Sequence, residues 1–572
     1  MMFRHLDCRL LKSLVFFIAL ALVSTSFSEG GRTPLRVKNG IVSSVSRLAS
    51  EAGVEALKQG GNAIDAAVAT AFVLAVTWPS GGNIGGGGFL VYHGEDGDAT
   101  TYDFREKAPL AATERMYLGL DGTVVSNSNH IGILAVGVPG TVAGLYKAHQ
   151  DLGSLPWADL LAPAVQLARE GIPITYALQS GFSRNSRRFA GYPASAAKFS
   201  RQDGSGYELG DTWVQPDLAH TLELIQEQGR DGFYQGENAQ RLAEFMAANG
   251  GIITAQDLAK YEAIEREPIR GSYRGYEIIS MPPPSSGGVV LVEMLNILEG
   301  FDLKAMGHNS AQYLHVVTES MRRAYADRAE FLGDPDFNEG MPLARLMDKD
   351  YAAELRETID MDRKSESDPE KFANIYESEE TTHFSIVDKD GNMVSMTYTL
   401  EFGYGSGIVV AGGGYLLNNE MGDFNAVPGV TNRRGLIGTA PNLVAPEKRM
   451  LSSMTPTIVA EDGKPVFAVG SPGGKTIINT TLQLILNVID HGFNIAESVE
   501  AGRIHHQWLP DVTSMETNSL SPDTIRLYEA KGHRFMERGA QGAAMGVYHD
   551  RVNSLFLGSS DSRSGDGAVV GY

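Results

Sequence analysis

The sequence predicts a mixed α/β protein, and three observations support this fold class. The chain has 572 residues, of which 43% are hydrophobic and 20% charged, a balance that excludes a disordered or fibrous protein. Its 65 glycines follow no three-residue period, so they are expected in turns, close backbone contacts and binding loops. Helical and strand patterns mix throughout the chain after residue 28. The length suits three or four average domains, and equally one large α/β unit with insertions.

Charge and cysteine content limit the possible partners and chemistry. The chain has 48 basic and 69 acidic side chains, giving a formal net charge of -21. Nucleic-acid binding requires a basic surface, so we expect no nucleic-acid partner and a small-molecule substrate instead. The single cysteine, Cys8, lies in the first thirty residues. Cysteine nucleophiles and thiolate metal sites are therefore excluded from the mature protein if this segment is removed.

Residues 1–28 have the pattern of a secretory signal peptide. Arg4, Arg9 and Lys12 form a positive head, residues 14–23 are apolar, and small residues follow at 24–28. The apolar run is too short to span a bilayer comfortably, so no stable membrane span is expected. The sequence thus predicts a secreted protein, either periplasmic or extracellular.

Two helices and two glycine-containing loops are predicted in the first half of the chain. Residues 50–59 have a helical pattern closed by Gly60 and Gly61, and a second, alanine-rich helix begins after Asn62, with Asp65 completing a capping box, and ends at 78–79. A glycine-rich run at 81–88 precedes a predicted strand at 89–92. This run has no lysine or hydroxyl residue of a phosphate loop, so close backbone packing is favoured over ligand binding. Residues 282–288 form a second rigid segment before a helix.

A β-hairpin is predicted directly after an acidic segment. Residues 351–380 contain ten acidic and four basic side chains and predict a helix end followed by an exposed linker. Strand patterns at 383–387 and 393–400 flank a turn centred on Asp390. If the turn is centred on Asp390, residues of the two strands whose numbers sum to 780 lie opposite one another. Thr381 is then expected opposite Thr399, with their backbones about 5.5 Å apart.

A second hairpin, 456–459 with 466–469, is predicted to continue into a glycine loop and an apolar helix that ends near residue 490. The loop resembles a nucleotide phosphate loop, but three residues rather than four separate Gly470 from the Gly474-Lys475 pair. A nucleotide-hydrolysing protein is therefore disfavoured. Glycines at a helix start can still present backbone N–H groups to a transition-state oxyanion.

No metal site is predicted. His505 and His506 are adjacent, so their rings diverge, and no HExxH pattern occurs; structural histidines are favoured. Glu420 and Asp423 lie three residues apart in a turn-like segment. These two acids could converge on a cation, either an ammonium group or a metal, or could be exposed loop charges.

Several short motifs occur along the whole mature chain. They are 103–106 (DFRE), 282–288 (PPPSSGG), 324–328 (AYADR), 381–385 (TTHFS), 451–454 (LSSM), 471–474 (SPGG), 505–508 (HHQW) and the closing Gly571-Tyr572. In this order they resemble the motifs of the γ-glutamyltranspeptidase family. The sequence is therefore identified as similar to that family over essentially its full mature length.

The resemblance implies a fold and a maturation step. Members of the family are N-terminal-nucleophile hydrolases with a four-layer αββα sandwich, made as one chain that cuts itself before a threonine. The implied cut lies between Glu380 and Thr381, giving a large subunit (29–380) and a small catalytic subunit (381–572) that form one interleaved unit. Thr381 then supplies both the nucleophilic hydroxyl and, in its freed α-amino group with an ordinary pKa of about 7.7–8.0, a general base. No cofactor is implied.

The resemblance also implies a substrate and a set of site residues. The donor is expected to be a γ-glutamyl compound such as glutathione, and the acceptor water, an amino acid or a dipeptide. Thr399 matches the residue that orients the nucleophile. The binding groups are implied to be Gly473 and Gly474 for the oxyanion, Arg105, Ser452 and Ser453 for the α-carboxylate, and Glu401, Glu420 and Asp423 for the α-ammonium.

Two positions depart from the usual family pattern, and two other functions stay open. Glu401 stands where many members have asparagine, and Arg433-Arg434 occupies the place of an aromatic gate in a predicted lid at 428–446. The acceptor preference and the balance between hydrolysis and transfer therefore do not follow from the resemblance.

The alternative functions are a cephalosporin (glutaryl) acylase-like amidase and a processed but inactive binding protein. Retention of Arg105, Glu420, Asp423 and the Ser452-Ser453 pair favours an α-amino acid head group over a glutaryl group.

Overall fold

Two antiparallel seven-stranded sheets form the centre of the structure, which is a computed structural model. It describes residues 32–125, 128–367, 381–429 and 439–572. The predicted signal peptide, Glu380 and Arg433-Arg434 lie outside these residues. Residues Pro34–Tyr572 form one compact unit. A search of the described ranges finds no helix with the length and apolar character needed to cross a membrane.

The strands are distributed along the whole described chain. They are β1 Leu35–Val37, β2 Ile41–Ser44, β3 Gly87–His93, β4 Ala99–Phe104, β5 Ile172–Pro173, β6 Thr212–Trp213, β7 Ile264–Arg266, β8 Ile269–Tyr273, β9 Tyr276–Ser280, β10 Thr382–Val387, β11 Met393–Thr399, β12 Thr457–Glu461, β13 Lys464–Gly470, β14 Ile504–His505, β15 Thr513–Glu516, β16 Phe535–Arg538, β17 Met545–Asp550, β18 Leu555–Ser560 and β19 Ala568–Gly571.

Helices fill the segments between the strands. They are α1 Arg47–Lys58, α2 Ala63–Thr77, α3 Thr141–Leu152, α4 Trp157–Glu170, α5 Tyr176–Phe189, α6 Pro193–Phe199, α7 Pro216–Gln228, α8 Asp231–Tyr234, α9 Gly236–Ala248, α10 Ala255–Lys260, α11 Gly287–Leu298, α12 Leu303–Met306, α13 Ala311–Phe331, α14 Leu343–Leu346, α15 Lys349–Glu357, α16 Thr476–Ile489, α17 Ile495–Glu500 and α18 Pro522–Glu529. Short 3₁₀ turns lie at Ile133–Ala135, Glu420–Asp423 and Ala440–Asn442.

Both large sheets combine strands from before and after Thr381. The first sheet has the order β1-β18-β17-β13-β12-β9-β8, and the second has the order β19-β2-β10-β11-β3-β4-β7. The hairpin β10–β11 thus lies at the middle of the second sheet, between β2 and β3. A strand at that position cannot be removed without separating the two halves of the sheet, because both of its edges are hydrogen-bonded.

The two sheets pack face to face, and helices cover their outer faces. The inner faces contribute an apolar layer that includes Ile41, Phe89, Ile279, Val387 and Ala468. Helices α1, α2 and α3 pack on the second sheet, and α11, α16 and α17 pack on the first. Burial of apolar side chains in each of the three interfaces stabilises the layers. The predicted αββα sandwich is confirmed.

The predicted register of the first hairpin is confirmed. Thr382 pairs with Tyr398, and Val387 pairs with Met393, so paired numbers sum to 780 over the whole ladder. The next pair outward from this ladder is Thr381 with Thr399. The second predicted hairpin is also present as β12–β13, with Thr457 opposite Val469 and a bulge after Val459.

The predicted helix ends are present, with one boundary moved. The side chain of Asn62 accepts hydrogen bonds from the backbone of Ile64 and Asp65, and Asp65 accepts one from Asn62 at 2.9 Å, which is the predicted capping box. The first helix begins at Arg47 rather than at the predicted residue 50. The added turn follows the N-cap residue Ser46, whose side chain makes no capping hydrogen bond, and it includes the apolar Leu48 and Ala49.

Candidate active site

Thr381 lies at the start of a central strand and at the floor of a groove. It directly precedes β10, is 7% exposed and lines a cavity of about 970 Å³. The backbone of Gly81 packs against it: a Cβ added at Gly81 would lie 3.0 Å from the Thr381 carbonyl carbon. A residue placed in this way is held by the sheet on one side and faces the cavity on the other.

Thr399 and the glycine-rich run at 81–88 pack around Thr381 and are fixed by hydrogen bonds. The Thr399 hydroxyl accepts a hydrogen bond from the Glu401 backbone N–H at 2.9 Å. The Asn83 side-chain amide donates to the carbonyls of Thr399 and Gly81 at 2.9 and 2.8 Å. A side chain at Gly86 would collide with the Thr399 carbonyl oxygen. The predicted role of the glycine run, close backbone packing, is thereby confirmed, and Asn83 is a supporting residue that sequence inspection missed.

Arg105 is the centre of a buried ion cluster. Its guanidinium lies 2.6 Å from Glu420 and 3.5 Å from Glu106, and it also donates to Asp423. Arg105 is 1% exposed, and neither glutamate has measurable exposure. The 3₁₀ turn Glu420–Asp423 places both of its acids on the arginine because residues three apart lie on the same side of such a turn. The two acids are therefore buried ion-pair partners and not exposed loop charges.

The cluster contains one cation and three carboxyl groups. Burial raises the pKa of Glu106 to about 8, although Arg105 acts in the opposite direction. Burial raises the pKa of Glu420 to about 8 as well, with Glu106 adding to the effect and Arg105 opposing it. One guanidinium cannot offset three buried negative charges, so at least one carboxyl retains its proton at neutral pH. The cluster has more carboxyl groups than cations, so it suits a ligand that carries a positively charged group.

Ser452 and Ser453 lie beside this cluster and are fixed by two other motifs. Arg105 donates to the carbonyl oxygens of Met450 and Leu451, at 3.3 and 3.4 Å, directly before the serine pair. The Ser286 hydroxyl donates to the Ser452 carbonyl at 2.6 Å. Arg328 bridges the two segments, donating to the hydroxyls of Ser286 at 2.7 Å and Ser453 at 2.8 Å. The segments 282–288 and 324–328 thus position the predicted carboxylate-binding hydroxyls.

Glu401 is held by a histidine that sequence inspection did not select. His130 Nδ1 lies 2.8 Å from Glu401 Oε1, and the His130 ring stacks on Phe402 with centroids 5.5 Å apart. Burial lowers the pKa of His130 to about 4, and Lys475 contributes in the same direction, so the ring is neutral at pH 7. A side chain at Gly422 would collide with the His130 ring and come within 2.8 Å of Glu401. Glu401 consequently lies against the turn that bears Glu420 and Asp423.

Gly473 and Gly474 lie at the start of α16, next to the groove. Their φ angles are 132° and 52°, values that side chains adopt rarely. Gly473 lines the cavity together with Lys475 and Thr476. Their carbonyls accept the backbone N–H groups of Thr476 and Ile477, at 3.0 and 3.1 Å, and so begin the helix. The predicted position at a helix start is confirmed.

The adjacent histidines have separate hydrogen-bond partners. Asn479 lies 2.7 Å from His505 Nδ1, and Asp511 lies 3.3 Å from His506 Nε2. Burial lowers the pKa of His505 to about 3 and that of His506 to about 4. Their side chains point to different partners, in agreement with a structural role.

Among the described residues, one group has the composition of a metal site: His315, Glu319 and His533. His315 Nδ1 lies 2.8 Å from His533 Nε2, and Glu319 is paired with Arg322 at 3.2 Å and with Arg323 at 2.7 Å. Two arginines already neutralise the carboxylate, which leaves little attraction for a metal cation. We assign this group to a hydrogen-bonded structural network.

The fold and the site define a class of protein. An αββα sandwich with a threonine at the start of a central strand, facing a groove, is the arrangement of an N-terminal-nucleophile hydrolase. Comparisons with known proteins make the assignment more specific. A model of the γ-glutamyltranspeptidase family matches residues 49–571. The chain belongs to the γ-glutamyltranspeptidase family and is an enzyme of that family.

Individual relatives agree with this assignment. The chain is 47% identical over 554 residues to a glutathione hydrolase proenzyme of Escherichia coli (strain K12), covering 96% of this chain and 95% of the relative. A γ-glutamyltranspeptidase structure from Helicobacter pylori is 46% identical with a TM-score of 0.55, covering 56% of this chain and 91% of the other. A cephalosporin acylase structure from Bacillus halodurans is 27% identical with a TM-score of 0.82, covering 96% and 99%.

Proposed function

We propose that this protein is a self-processing γ-glutamyltransferase and glutathione hydrolase in which Thr381 is the nucleophile. Cleavage between Glu380 and Thr381 would give subunits 29–380 and 381–572. The observation that carries the proposal is the continuous set of contacts from the groove to the ion cluster. Thr399, opposite Thr381, contacts Glu401, and Glu401 lies against the turn whose acids hold Arg105. These contacts connect the proposed nucleophile, Thr381, with the proposed amino-acid-binding site around Arg105.

The chemistry follows from the positions of these groups. The Thr381 hydroxyl oxygen attacks the γ-carbonyl carbon, and its proton passes to the Thr381 α-amino group. Backbone N–H groups near Gly473 and Gly474 stabilise the oxyanion. The C–N bond then breaks, the proton moves to the leaving amine, and a γ-glutamyl ester of Thr381 remains. Water or an amine attacks that ester, which releases glutamate or a new γ-glutamyl amide and restores the hydroxyl.

The ion cluster matches a zwitterionic head group. A carboxylate on the ligand can take the guanidinium of Arg105 in the two-point geometry that arginine favours, with Ser452 and Ser453 nearby. An ammonium group can then pair with the released acids of the 3₁₀ turn and with Glu401. When the ligand carboxylate replaces the acids on Arg105 and the ligand ammonium pairs with those acids, each buried charge keeps an opposite partner. Binding therefore avoids the cost of an isolated buried ion.

The cephalosporin acylase likeness supports a second candidate, a glutaryl amidase, and one comparison separates the two. We expect the kcat/KM for a γ-glutamyl anilide to exceed that for the glutaryl anilide by about 1000-fold, because the glutaryl group lacks the ammonium and leaves the acids unpaired. Aniline release measures both rates. The Asp423→Asn variant should narrow the ratio, whereas Asp490→Asn, an equally buried aspartate bonded to Tyr273, should keep it. Equal rates on the two anilides would favour the amidase.

Binding of the head group should also release a proton. Burial raises the pKa of Glu420 and of Glu106, so the carboxyl groups around Arg105 together hold at least one proton in the empty site at neutral pH, and they must be ionised to pair with both Arg105 and an ammonium. Affinity for the product L-glutamate is therefore expected to rise as the pH rises from 6 to 8, by up to about tenfold per unit for one proton. Titration calorimetry in buffers of different ionisation enthalpy measures the released proton.

Two variants make this pH test specific. Glu420→Gln should reduce both the proton release and the pH slope. Glu293→Gln changes another fully buried glutamate with a raised pKa, which lies on α11 beside Asp327, and this variant should retain both the proton release and the pH slope. An unchanged slope in Glu420→Gln would show that another group carries the proton.

Export is also part of the proposal. The basic head, short apolar run and small residues within 1–28 support removal of a signal peptide and a periplasmic or extracellular location. No cofactor is required by the proposed chemistry.

A further inference from the structure

His130 contacts two consecutive residues, Glu401 and Phe402, that lie just after β11. The ring of His130 stacks on Phe402 with an interplanar angle of 7°. Its Nδ1 atom lies 2.8 Å from Glu401 Oε1. His130 is 8% exposed and Glu401 is 3% exposed, so water competes little for this hydrogen bond. One ring therefore holds both residues, through its face in one case and through its edge in the other.

Asn419 fixes the backbone of this histidine. The Asn419 side-chain amide donates to the His130 carbonyl oxygen at 3.2 Å, and its side-chain oxygen accepts the Phe402 N–H at 3.1 Å. Asn419 is fully buried and directly precedes the 3₁₀ turn Glu420–Asp423. One side chain thus joins the loop of His130, the segment 401–402 and the turn that bears the acids of the ion cluster.

The hydrogen bond between His130 and Glu401 packs on the backbone of Gly422. A Cβ added at Gly422 would collide with His130 Nδ1 and would lie 2.8 Å from Glu401 Oε1. Both atoms of the bond therefore touch the turn at a point between Glu420 and Asp423. His130 holds the carboxyl group of Glu401 beside the two acids that are proposed to meet the ammonium of the ligand.

The histidine orients this carboxyl group without cancelling its charge. Burial lowers the pKa of His130 to about 4, so the ring is neutral at pH 7. An ionised carboxylate only accepts hydrogen bonds, so Nδ1 is the ring nitrogen that carries the hydrogen. Glu420 and Asp423, by contrast, both contact the cationic guanidinium of Arg105. A neutral donor is suited to hold an acid that must still attract an ammonium group.

The residue type at position 401 explains why such a contact is needed. Glu401 has a φ angle of 78°, in the left-handed region that asparagine tolerates better than glutamate. Glutamate also has more side-chain torsions than the asparagine of the usual family pattern, so more conformational entropy is lost when its carboxyl group is held in one place. The hydrogen bond from His130 selects one orientation of this longer side chain.

We propose that His130 is a positioning residue for recognition of the ligand's α-ammonium group, and that it acts by holding the carboxylate of Glu401 at the head-group site around Arg105. The inference rests on the proposed function, in which Glu401 pairs with the ammonium, and adds a residue that belongs to none of the sequence motifs. Loss of the Nδ1 hydrogen bond is therefore expected to weaken discrimination between γ-glutamyl and glutaryl substrates and to leave the chemical step intact.

Two variants of the processed enzyme separate the hydrogen bond from the ring packing. His130→Phe keeps an aromatic ring against Phe402 but has no Nδ1 atom, whereas His130→Asn keeps an N–H donor near that position but has no ring. In His130→Phe we expect the ratio of kcat/KM for the γ-glutamyl anilide to that for the glutaryl anilide to fall about tenfold, through the KM of the γ-glutamyl anilide, with kcat within about twofold. His130→Asn should keep the ratio within about threefold of the wild type. The opposite order of the two variants would show a packing role and would overturn the proposal.

A double-mutant cycle tests whether the effect passes through Glu401. Asparagine is compatible with the backbone at position 401 but is one methylene shorter, so it cannot make the same contact with His130. In the Glu401→Asn background, His130→Phe should change the ratio by less than about twofold. A tenfold fall in both backgrounds, or an unchanged ratio in the single His130→Phe variant, would overturn the proposal.

His149→Phe is the matched control. His149 is also 8% exposed, and its Nε2 lies 2.8 Å from the Leu155 carbonyl oxygen, outside the proposed head-group site. This variant should keep the wild-type ratio of the two kcat/KM values. Absence of any preference for the γ-glutamyl anilide in the wild type would contradict the proposed function instead, so the two failures are distinguishable.

Discussion

Replacing Thr381 by alanine should leave the protein as one uncut chain with no measurable activity on a γ-glutamyl anilide. The change removes the hydroxyl that would attack both the preceding peptide bond and the substrate, so processing and turnover are lost together. We expect a fall in activity of at least about 1000-fold. A denaturing gel reports the chain length, and aniline release reports the activity.

Two further variants distinguish chemistry from folding. Thr381→Ser keeps a hydroxyl and should still be cut, and amino-terminal sequencing of its small subunit should begin at residue 381. Thr382→Val changes the next residue, whose buried hydroxyl has no hydrogen-bond partner among the described atoms, and it should be processed normally. If Thr381→Ala were still divided into 29–380 and 381–572, the nucleophile would be a different group.

The Arg105→Lys variant should lose most of its ability to use γ-glutamyl donors while it still folds. Lysine keeps the positive charge but cannot contact Glu420, Asp423 and the Leu451 carbonyl together, because it lacks the planar fork. We expect kcat/KM for a γ-glutamyl anilide to fall by about 100-fold or more, mainly through KM. The free energy of unfolding should fall by about 1–3 kcal/mol.

Arg449→Lys is the matched control for this effect. Arg449 is also 1% exposed and contacts Asp103 at 3.4 Å and the Glu262 carbonyl at 2.9 Å, outside the proposed head-group site. It should lose comparable stability in thermal unfolding and retain its kcat/KM. A similar loss of kcat/KM in both variants would mean that the effect of Arg105 is one of general stability.

Local sequence patterns predicted much of the scaffold around Thr381. The hairpin turn at Asp390 sets a register that places Thr381 and Thr399 at one end of a ladder, and the ladder is present. The capping box at Asn62 and the glycine run at 81–88 were also visible, since each depends on residues close in sequence. The assigned roles of Gly473, Gly474 and the head-group residues came from the family resemblance and remain proposals.

Other supporting residues were not visible because their partners are distant in sequence. His130 lies beside Glu401, 271 residues away, and Arg328 beside Ser453, 125 residues away. Neither belongs to a spacing that predicts its contact. The lining of the groove is a similar case: its arginines lie on α5, on β16 and at residue 563, and only their common cavity brings them together.

The sequence by itself determined the α/β class, the two hairpins, the register at Thr381 and the family resemblance, because strand period, turn chemistry and capping act over a few residues. Only the tertiary structure decided that Glu420 and Asp423 are buried partners of Arg105 and not exposed charges, and that the described residues lining the groove at Thr381 include four arginines and a lysine but no acid. Burial and the sum of neighbouring charges set the properties of ionisable groups, and both arise only when segments from the whole chain pack together.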